Sequence, residues 1–327
     1  MKTKNYPFLI VCLVLLPGIF SCGNGSQQDP QQTTAAAGIP AIEQLTKKIE
    51  TSPNDASLYA ARGAIWYENQ GFDEGIADVE KAISLDSTKP EYFHALADMY
   101  LDYFKSRLAL NTMQRAAAAF PRRIPTLLKL AEFQFILQQH TEALVTLERI
   151  RQMDPQNAEM FFMFGRVFKE MGKTEQAINA FQSAAENDAT LTDAWVNLGE
   201  LVAGKNPEAA GRYFDNALRV DSTNIAALHA KAYFLSNKKN DLAGAVLLYK
   251  KINAIDPQYE DGFYNLGLLY LDMDSLEQAR KSFDIAIQVA PTFANAYYYR
   301  GVTHEKLGDK AKAQADFDNA KRLKPAE

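Results

Sequence analysis

Residues 158–191 read AEMFFMFGRVFKEMGKTEQAINAFQSAAENDATL, and residues 260–293 read EDGFYNLGLLYLDMDSLEQARKSFDIAIQVAPTF. Laid one on the other, they match Gly165 with Gly267, Ala177 with Ala279, Phe181 with Phe283 and Ala184 with Ala286. Moving outward at that spacing gives a series of small residues: Gly63, Ala97, Ala131, Gly165, Gly199, Ala232, Gly267 and Gly301. A second series runs beside it: Gly75, Ala109, Ala143, Ala177, Ala210, Ala245, Ala279 and Ala313. Every step is 34 residues except one of 33 and one of 35. A fixed period of this length marks a repeat architecture, in which each unit contacts only its neighbours.

Large apolar residues surround the small ones at helical spacing. Four residues before the first series stand Tyr59, Phe93, Leu127, Phe161, Trp195, Leu228, Phe263 and Tyr297. Four after the second stand Val79, Met113, Leu147, Phe181, Phe214, Tyr249, Phe283 and Phe317, with Ala or Ile three further on. Spacings of three and four place each set on one helical face. Each unit therefore reads as two antiparallel helices that approach where both carry a small residue, with large side chains filling the groove between successive hairpins. Pro121, Pro155, Pro257, Pro291 and Pro325 end the second helix. Ser87 and Ser222 hold the same slot as cap residues.

The period, the small residues and the terminal prolines resemble tetratricopeptide repeats (TPR) from Pro40 to Glu327. The resemblance implies an all-α fold, a right-handed superhelical solenoid of antiparallel helix hairpins. Its eight units are 56–89, 90–123, 124–157, 158–191, 192–224, 225–259, 260–293 and 294–327, with a capping helix over 40–55. The last helix, Lys310 to Lys324, is polar enough to serve as its own cap. One inter-helix turn, between Gly199 and Ala210, is a residue short; the next, between Ala232 and Ala245, is a residue long. In exposed turns such a compensating pair reads as neutral variation.

Ahead of the repeats, residues 1–21 carry Lys2 and Lys4, an apolar run from Phe8 to Leu16, and small residues before Cys22, the order of an export signal. Ile19-Phe20-Ser21-Cys22 resembles the lipobox of bacterial lipoprotein precursors, although Phe20 is bulkier than the commonest pattern. That resemblance implies acylation, palmitate included, at Cys22, and Gly23 rather than Asp favours the outer membrane. Residues 22–39 are poor in large apolar side chains and read as a lipidated cysteine followed by a flexible tether. The only other cysteine is Cys12, so the body must be held by packing rather than disulfides.

The formal charge of -5 argues against binding nucleic-acid phosphates. His94, His140, His229 and His304 match no metal-ligand spacing, and no HExxH is present. Gly172-Lys173-Thr174 lacks the upstream glycine of a phosphate loop, Val167 standing there instead. Asp86-Ser87-Thr88, Asp221-Ser222-Thr223 and Asp274-Ser275-Leu276 resemble acceptors of a bacterial O-glycosylation system, but two of them lie where a cap residue suffices. No catalytic set and no cofactor are expected.

By the resemblance, the first helices line the concave face and present Tyr67, Phe135, Phe162, Tyr233, Tyr264, Tyr298 and Tyr299. Asp98, Asp102, Glu132, Glu200 and Asp272 accompany them, with fewer bases: Lys129, Arg166, Lys169 and Lys306. Asn197 and Asn265 occupy one position of the carboxylate clamp of chaperone-docking relatives, but its accompanying cations are missing. An acidic, aromatic-lined groove suits a peptide or protein that carries Lys or Arg among apolar residues. The expected function is a membrane-anchored scaffold of the bacterial envelope; the alternative is a surface lipoprotein that captures glycans.

Overall fold

The computed structural model describes residues 39–323; the export signal, Cys22 and the tether up to residue 38 lie outside the described residues. Seventeen α-helices follow one another among the described residues, with no strand. A single helix, α1 (Pro40–Thr51), precedes eight hairpins. These are α2 (Ala56–Glu68) with α3 (Phe72–Leu85), α4 (Pro90–Asp102) with α5 (Ser106–Ala119), and α6 (Ile124–Ile136) with α7 (His140–Met153). Next come α8 (Ala158–Glu170) with α9 (Thr174–Asn187), α10 (Thr192–Val202) with α11 (Pro207–Val220), and α12 (Ile225–Phe234) with α13 (Leu242–Ile255). The last two are α14 (Glu260–Asp272) with α15 (Leu276–Val289) and α16 (Ala294–Lys306) with α17 (Lys310–Leu323). No described helix is long and apolar enough to cross a membrane.

The small residues set how closely the two helices of a hairpin approach. A Cβ added at Gly165 would lie 2.6 Å from the Phe181 ring; at Gly199 it would meet Phe214 at 2.6 Å, at Gly267 Phe283 at 2.6 Å, and at Gly301 Phe317 at 2.8 Å. The first helix is thus notched where the second carries a phenylalanine. Where the second helix carries Met113, Leu147 or Tyr249 instead, the notch is Ala97, Ala131 or Ala232, all fully buried. The phenylalanines also reach the next hairpin: Phe214 lies 5.4 Å from Phe234, and Phe283 6.2 Å from Tyr299, between ring centroids. Phe181 and Phe283 are wholly buried, each worth roughly 1.5–3 kcal/mol by transfer. Phe317 is only half-buried, because no described helix follows α17.

Turn chemistry fixes the two edges of the solenoid. Within seven hairpins the first helix ends on a left-handed residue: Gln70, Phe104, Gln138, Gly172, Asn240, Asp274 or Gly308. In six of them the next N–H returns to a carbonyl five residues back, as Lys105 N does to Tyr100 O at 2.8 Å and Lys173 N to Phe168 O at 2.8 Å. The short turn of the fifth hairpin lacks the left-handed residue. The long turn of the sixth takes up its extra residue as a π-helical turn, Leu235–Lys239, before Asn240. At the opposite edge, where hairpins join, the second helix ends at a C-cap aspartate whose side chain closes the turn, while the next helix is not capped by the expected Ser87 or Ser222: α4 has no side-chain cap and α12 is capped by Asn224. Asp86 Oδ1 accepts the N–H and hydroxyl of Thr88 at 2.9 and 2.6 Å, and Asp221 Oδ1 does the same for Thr223 at 2.8 and 2.7 Å.

The outermost hairpins carry a bidentate pair at a place where, in the sixth hairpin, Lys231 makes a single bond of 2.6 Å to Asp215 on the preceding hairpin. Arg62 makes two bonds of 2.7 Å to buried Asp78 on its own hairpin and one of 2.9 Å to Thr46 on α1. Arg300 repeats this at the other end, with bonds of 2.8 and 2.6 Å to Asp316 and one of 2.8 Å to Asp284 on α15. Leu96, Leu130, Phe164, Leu198 and Leu266 fill that place in five of the six inner hairpins. Each arginine thus ties the two helices of its own hairpin together and joins them to the helix before, α1 or α15.

Two outcomes follow from this packing. Gly165→Ala should lower stability by about 1–3 kcal/mol in chemical unfolding despite the better helix propensity of alanine, and Phe181→Leu in the same chain should restore part of the loss. Arg300→Met should strip Asp316 of its partner at a cost of about 3 kcal/mol. Amide hydrogen exchange should then quicken in α16 and α17 before anywhere else.

Candidate functional site

Successive first helices touch one another along α2, α4, α6, α8, α10, α12, α14 and α16, apart from α8 and α10 and from α12 and α14, whereas no two second helices are in comparable contact. The first helices therefore form the inner row, and their free faces make the concave surface. Its side chains are fixed mainly from one hairpin to the next. Tyr67 donates its hydroxyl to Asp102, and this bond, with burial, pushes the Tyr67 phenol up to about 12. Lys129 reaches back to Asp98 at 2.8 Å.

The middle of the surface is a cleft of about 490 Å³ lined by Phe135, Phe162, Arg166, Lys169, Glu170, Asp193 and Asn197. The Arg166 guanidinium lies 4.5 Å from the centre of the Phe135 ring and only 3.9 Å from Glu132. Lys169 donates to Asn197 at 2.7 Å and to Glu200 at 2.8 Å. Asp98, Glu132 and Glu200 are thus already matched by bases. The central groove is close to neutral, with two cations over an aromatic floor.

Beyond α12 the surface changes character. Tyr264 packs against Phe293 at 4.9 Å and Tyr299 at 5.9 Å, and Tyr298 against Tyr299 at 5.2 Å and Phe317 at 5.6 Å. Tyr298 and Tyr233 remain substantially exposed. Asp261 and Asp272 make no ion pair among the described residues, and burial raises the pKa of each carboxyl. Glu170 and Asp193 of the central cleft likewise make no ion pair among the described residues.

Sequence reasoning put Phe135, Phe162 and Arg166 on one surface, and the structure brings them into one cleft; Tyr264, Tyr298 and Tyr299 meet in another cluster. Tyr67 and Asp102 bond each other at the far N-terminal end, remote in the chain from both. Two residues were missed. His94 bonds Thr126 through Nε2 at 3.1 Å, and His229 stands edge-on to Tyr249 at 5.6 Å. Each lies three residues before the small residue of its helix, the register of Phe162, Tyr264 and Tyr298, so the spacing itself was the signal. Among the described residues no three His, Cys, Asp or Glu side chains are placed to hold a metal.

Comparison with known proteins agrees with this architecture. A tetratricopeptide repeat family profile matches residues 162–225 and 264–327, spanning most of the fourth, fifth, seventh and eighth hairpins. The chain is 23% identical over 233 residues to anaphase-promoting complex subunit 7 of Dictyostelium discoideum, 70% of this chain and 39% of that protein. It is 22% identical over 283 residues to the human protein O-mannosyl-transferase TMTC3, 84% of this chain and 30% of that one. This chain therefore spans well under half the length of these two relatives. Its fold superposes on yeast Tom70 with a TM-score of 0.61 at 18% identity, covering 86% of this chain and 58% of that one. The class is thus an all-helical solenoid. More narrowly, its fourth, fifth, seventh and eighth hairpins match the tetratricopeptide repeat family, and the whole resembles solenoids of that kind.

His229 provides a local test. Burial lowers its pKa, while Asp261 and Glu200 pull the other way. Because the folded state binds fewer protons at this ring, its contribution to stability is complete above the unfolded value and is lost as pH falls through the folded one. Buried Asp261 acts oppositely, keeping its proton longer when folded and easing the fold as pH drops. In an NMR titration His229 should change below the ordinary imidazole range, and Asp261→Asn should move it lower still.

Proposed function

We propose that this chain is an adaptor of a bacterial cell envelope, anchored to the outer membrane by lipid on Cys22, that gathers other proteins in its concave groove. The lipobox-like Ile19-Phe20-Ser21-Cys22 and the basic and apolar segment before it support the anchor. The repeat and its inner row of first helices support the binding role. The observation that carries the choice of partner is the contrast along the groove. Asp98, Glu132 and Glu200 are engaged by Lys129, Arg166 and Lys169, whereas Asp261, close to Tyr264, makes no ion pair among the described residues, and Asp272 at the other end of α14 has only the more distant charge of Lys306. A peptide or protein surface bearing Lys or Arg next to an apolar group fits this C-terminal half: the cation meets the carboxylates and the apolar group meets Tyr264 and Tyr298.

A photoreactive residue at Tyr298 or Tyr233, activated in intact cells, should attach to one reproducible envelope protein. Asp261→Asn with Asp272→Asn should weaken the purified pair by roughly 1–3 kcal/mol, or about 5- to 150-fold. Equal capture from Leu247, exposed on the outer side of α13, would remove the groove from consideration.

A further inference from the structure

One edge of the solenoid, the rim where the first helix of each hairpin turns into the second, is most apolar over the second and third hairpins; elsewhere on it Met273 and Leu307, 42% and 38% exposed, stand singly at the seventh and eighth. Phe104, at the tip of the second turn, is 87% exposed and holds a left-handed backbone with φ 58. The equivalent residues elsewhere are Gln70, Gln138, Gly172, Asn240, Asp274 and Gly308, which are polar or glycine. Leu108, 45% exposed, follows one turn later, where other hairpins carry Glu74, Glu142, Gln176, Gln278 and Lys312. Ile136, also 45% exposed, ends α6 where others carry Glu68, Asp102, Glu170, Asp272 and Lys306. At three register positions, then, an apolar residue replaces a polar one, and all three lie on the same rim. A bulky aromatic in a left-handed turn also carries strain of order 1 kcal/mol, a cost that points to a use.

Behind Phe104 the rim is stiff. Tyr103 stacks on Phe72 at 5.2 Å and 7°, Tyr67 meets the edge of Phe72 at 5.8 Å, and Lys105 Nζ lies 4.0 Å from the centre of the Tyr103 ring. Lys105 is 3.5 Å from Asp73, and Arg107, Glu74 and Asp102 stand nearby, so the charges nearly balance and the apolar groups dominate.

Topology says what this rim faces. Helix α1 packs on α2 and runs antiparallel to it through the short turn after Thr51. Its first residue, Pro40, therefore lies at the end of α2, on the rim that carries Gln70 and Phe104. The chain from Cys22 thus reaches the folded body at this rim, about 20 Å from Phe104 at two helix spacings. Seventeen residues separate Cys22 from Pro40, and a chain of that length and composition has a random-coil reach of about 20–25 Å. An aromatic tip, two aliphatic side chains and flanking Lys and Arg are what the interface of a bilayer accepts.

We propose that this rim rests on the lipid surface, with Phe104 and Leu108 among the headgroups and the groove held side-on to the membrane; this builds on the reading of Cys22 as the anchor. The body has no cysteine of its own, so single-cysteine labels are specific. The full chain, lipidated in a bacterial host, is placed in phosphatidylethanolamine and phosphatidylglycerol vesicles with the environment-sensitive fluorophore NBD on Phe104→Cys, Leu108→Cys or Ser87→Cys, the last exposed on the opposite rim. Labels at 104 and 108 should brighten by about twofold or more and resist a soluble quencher, while the label at 87 does neither. If the chain floats with vesicles but position 104 behaves like position 87, the rim contact is wrong and the anchor stands. If the chain does not float, the anchor is wrong, and the label at 104 on unlipidated chain carrying Cys12→Ser and Cys22→Ser decides the rim: brightening with added vesicles keeps the contact, and no change ends it. Brightening that depends on protein concentration without vesicles assigns the rim to a second copy and overturns the proposal. Phe104→Asn with Leu108→Gln should fold normally, since Asn240 and Gln176 hold those slots elsewhere, and should lose the orientation but not the flotation.

Discussion

Everything in this structure depends on a notch and a ring. A helix that must lie against the face of a phenylalanine cannot carry a Cβ at the point of closest approach, as Gly165 against Phe181 and Gly267 against Phe283 show at 2.6 Å. Where the second helix offers Met113 or Leu147, alanine suffices. The fit fixes the separation within each hairpin. Because the same ring also meets the following hairpin, it fixes the step from one unit to the next.

That step places the first helices on the inside, and their spacing lets side chains from adjacent units meet. Lys129 with Asp98, Arg166 over Phe135 and Lys169 with Asn197 and Glu200 are all contacts between hairpins. The groove is therefore a product of the stack. In its central part Lys129, Arg166 and Lys169 are held by acids of the neighbouring hairpin, and in its C-terminal part Asp261 stands unpaired near Tyr264, which gives a uniform repeat a direction.

The departures from uniformity are as informative as the period. Arg62 and Arg300 tie the first and last hairpins each to the helix before. The short and long turns of the fifth and sixth hairpins resolve into a missing left-handed residue and a π-helical turn, and the contact between successive first helices is interrupted on either side of this pair. Phe104 stands out because its neighbours in register make it an exception.

The sequence by itself determined the hairpins, their period and the buried faces. A small residue and a large apolar partner, a ring from the fourth hairpin onward, recur about every 34 residues, and helical periodicity is a local property that any window of the repeats displays. It also placed Phe135, Phe162 and Arg166 on one surface. Only the tertiary structure decided which charges cancel, since Lys169 meets Asn197 and Glu200 across 28 and 31 residues at distances set by the stacking angle. The same holds for His229, whose burial against Tyr249 and beside Asp261 comes from three helices at once. It holds for the aspartate caps at Asp86 and Asp221, where neighbouring serines looked equally suited until the backbone bent toward the threonines. Periodicity is written in each unit, whereas a groove exists only between units, and so its electrostatics could be read only once the units were stacked.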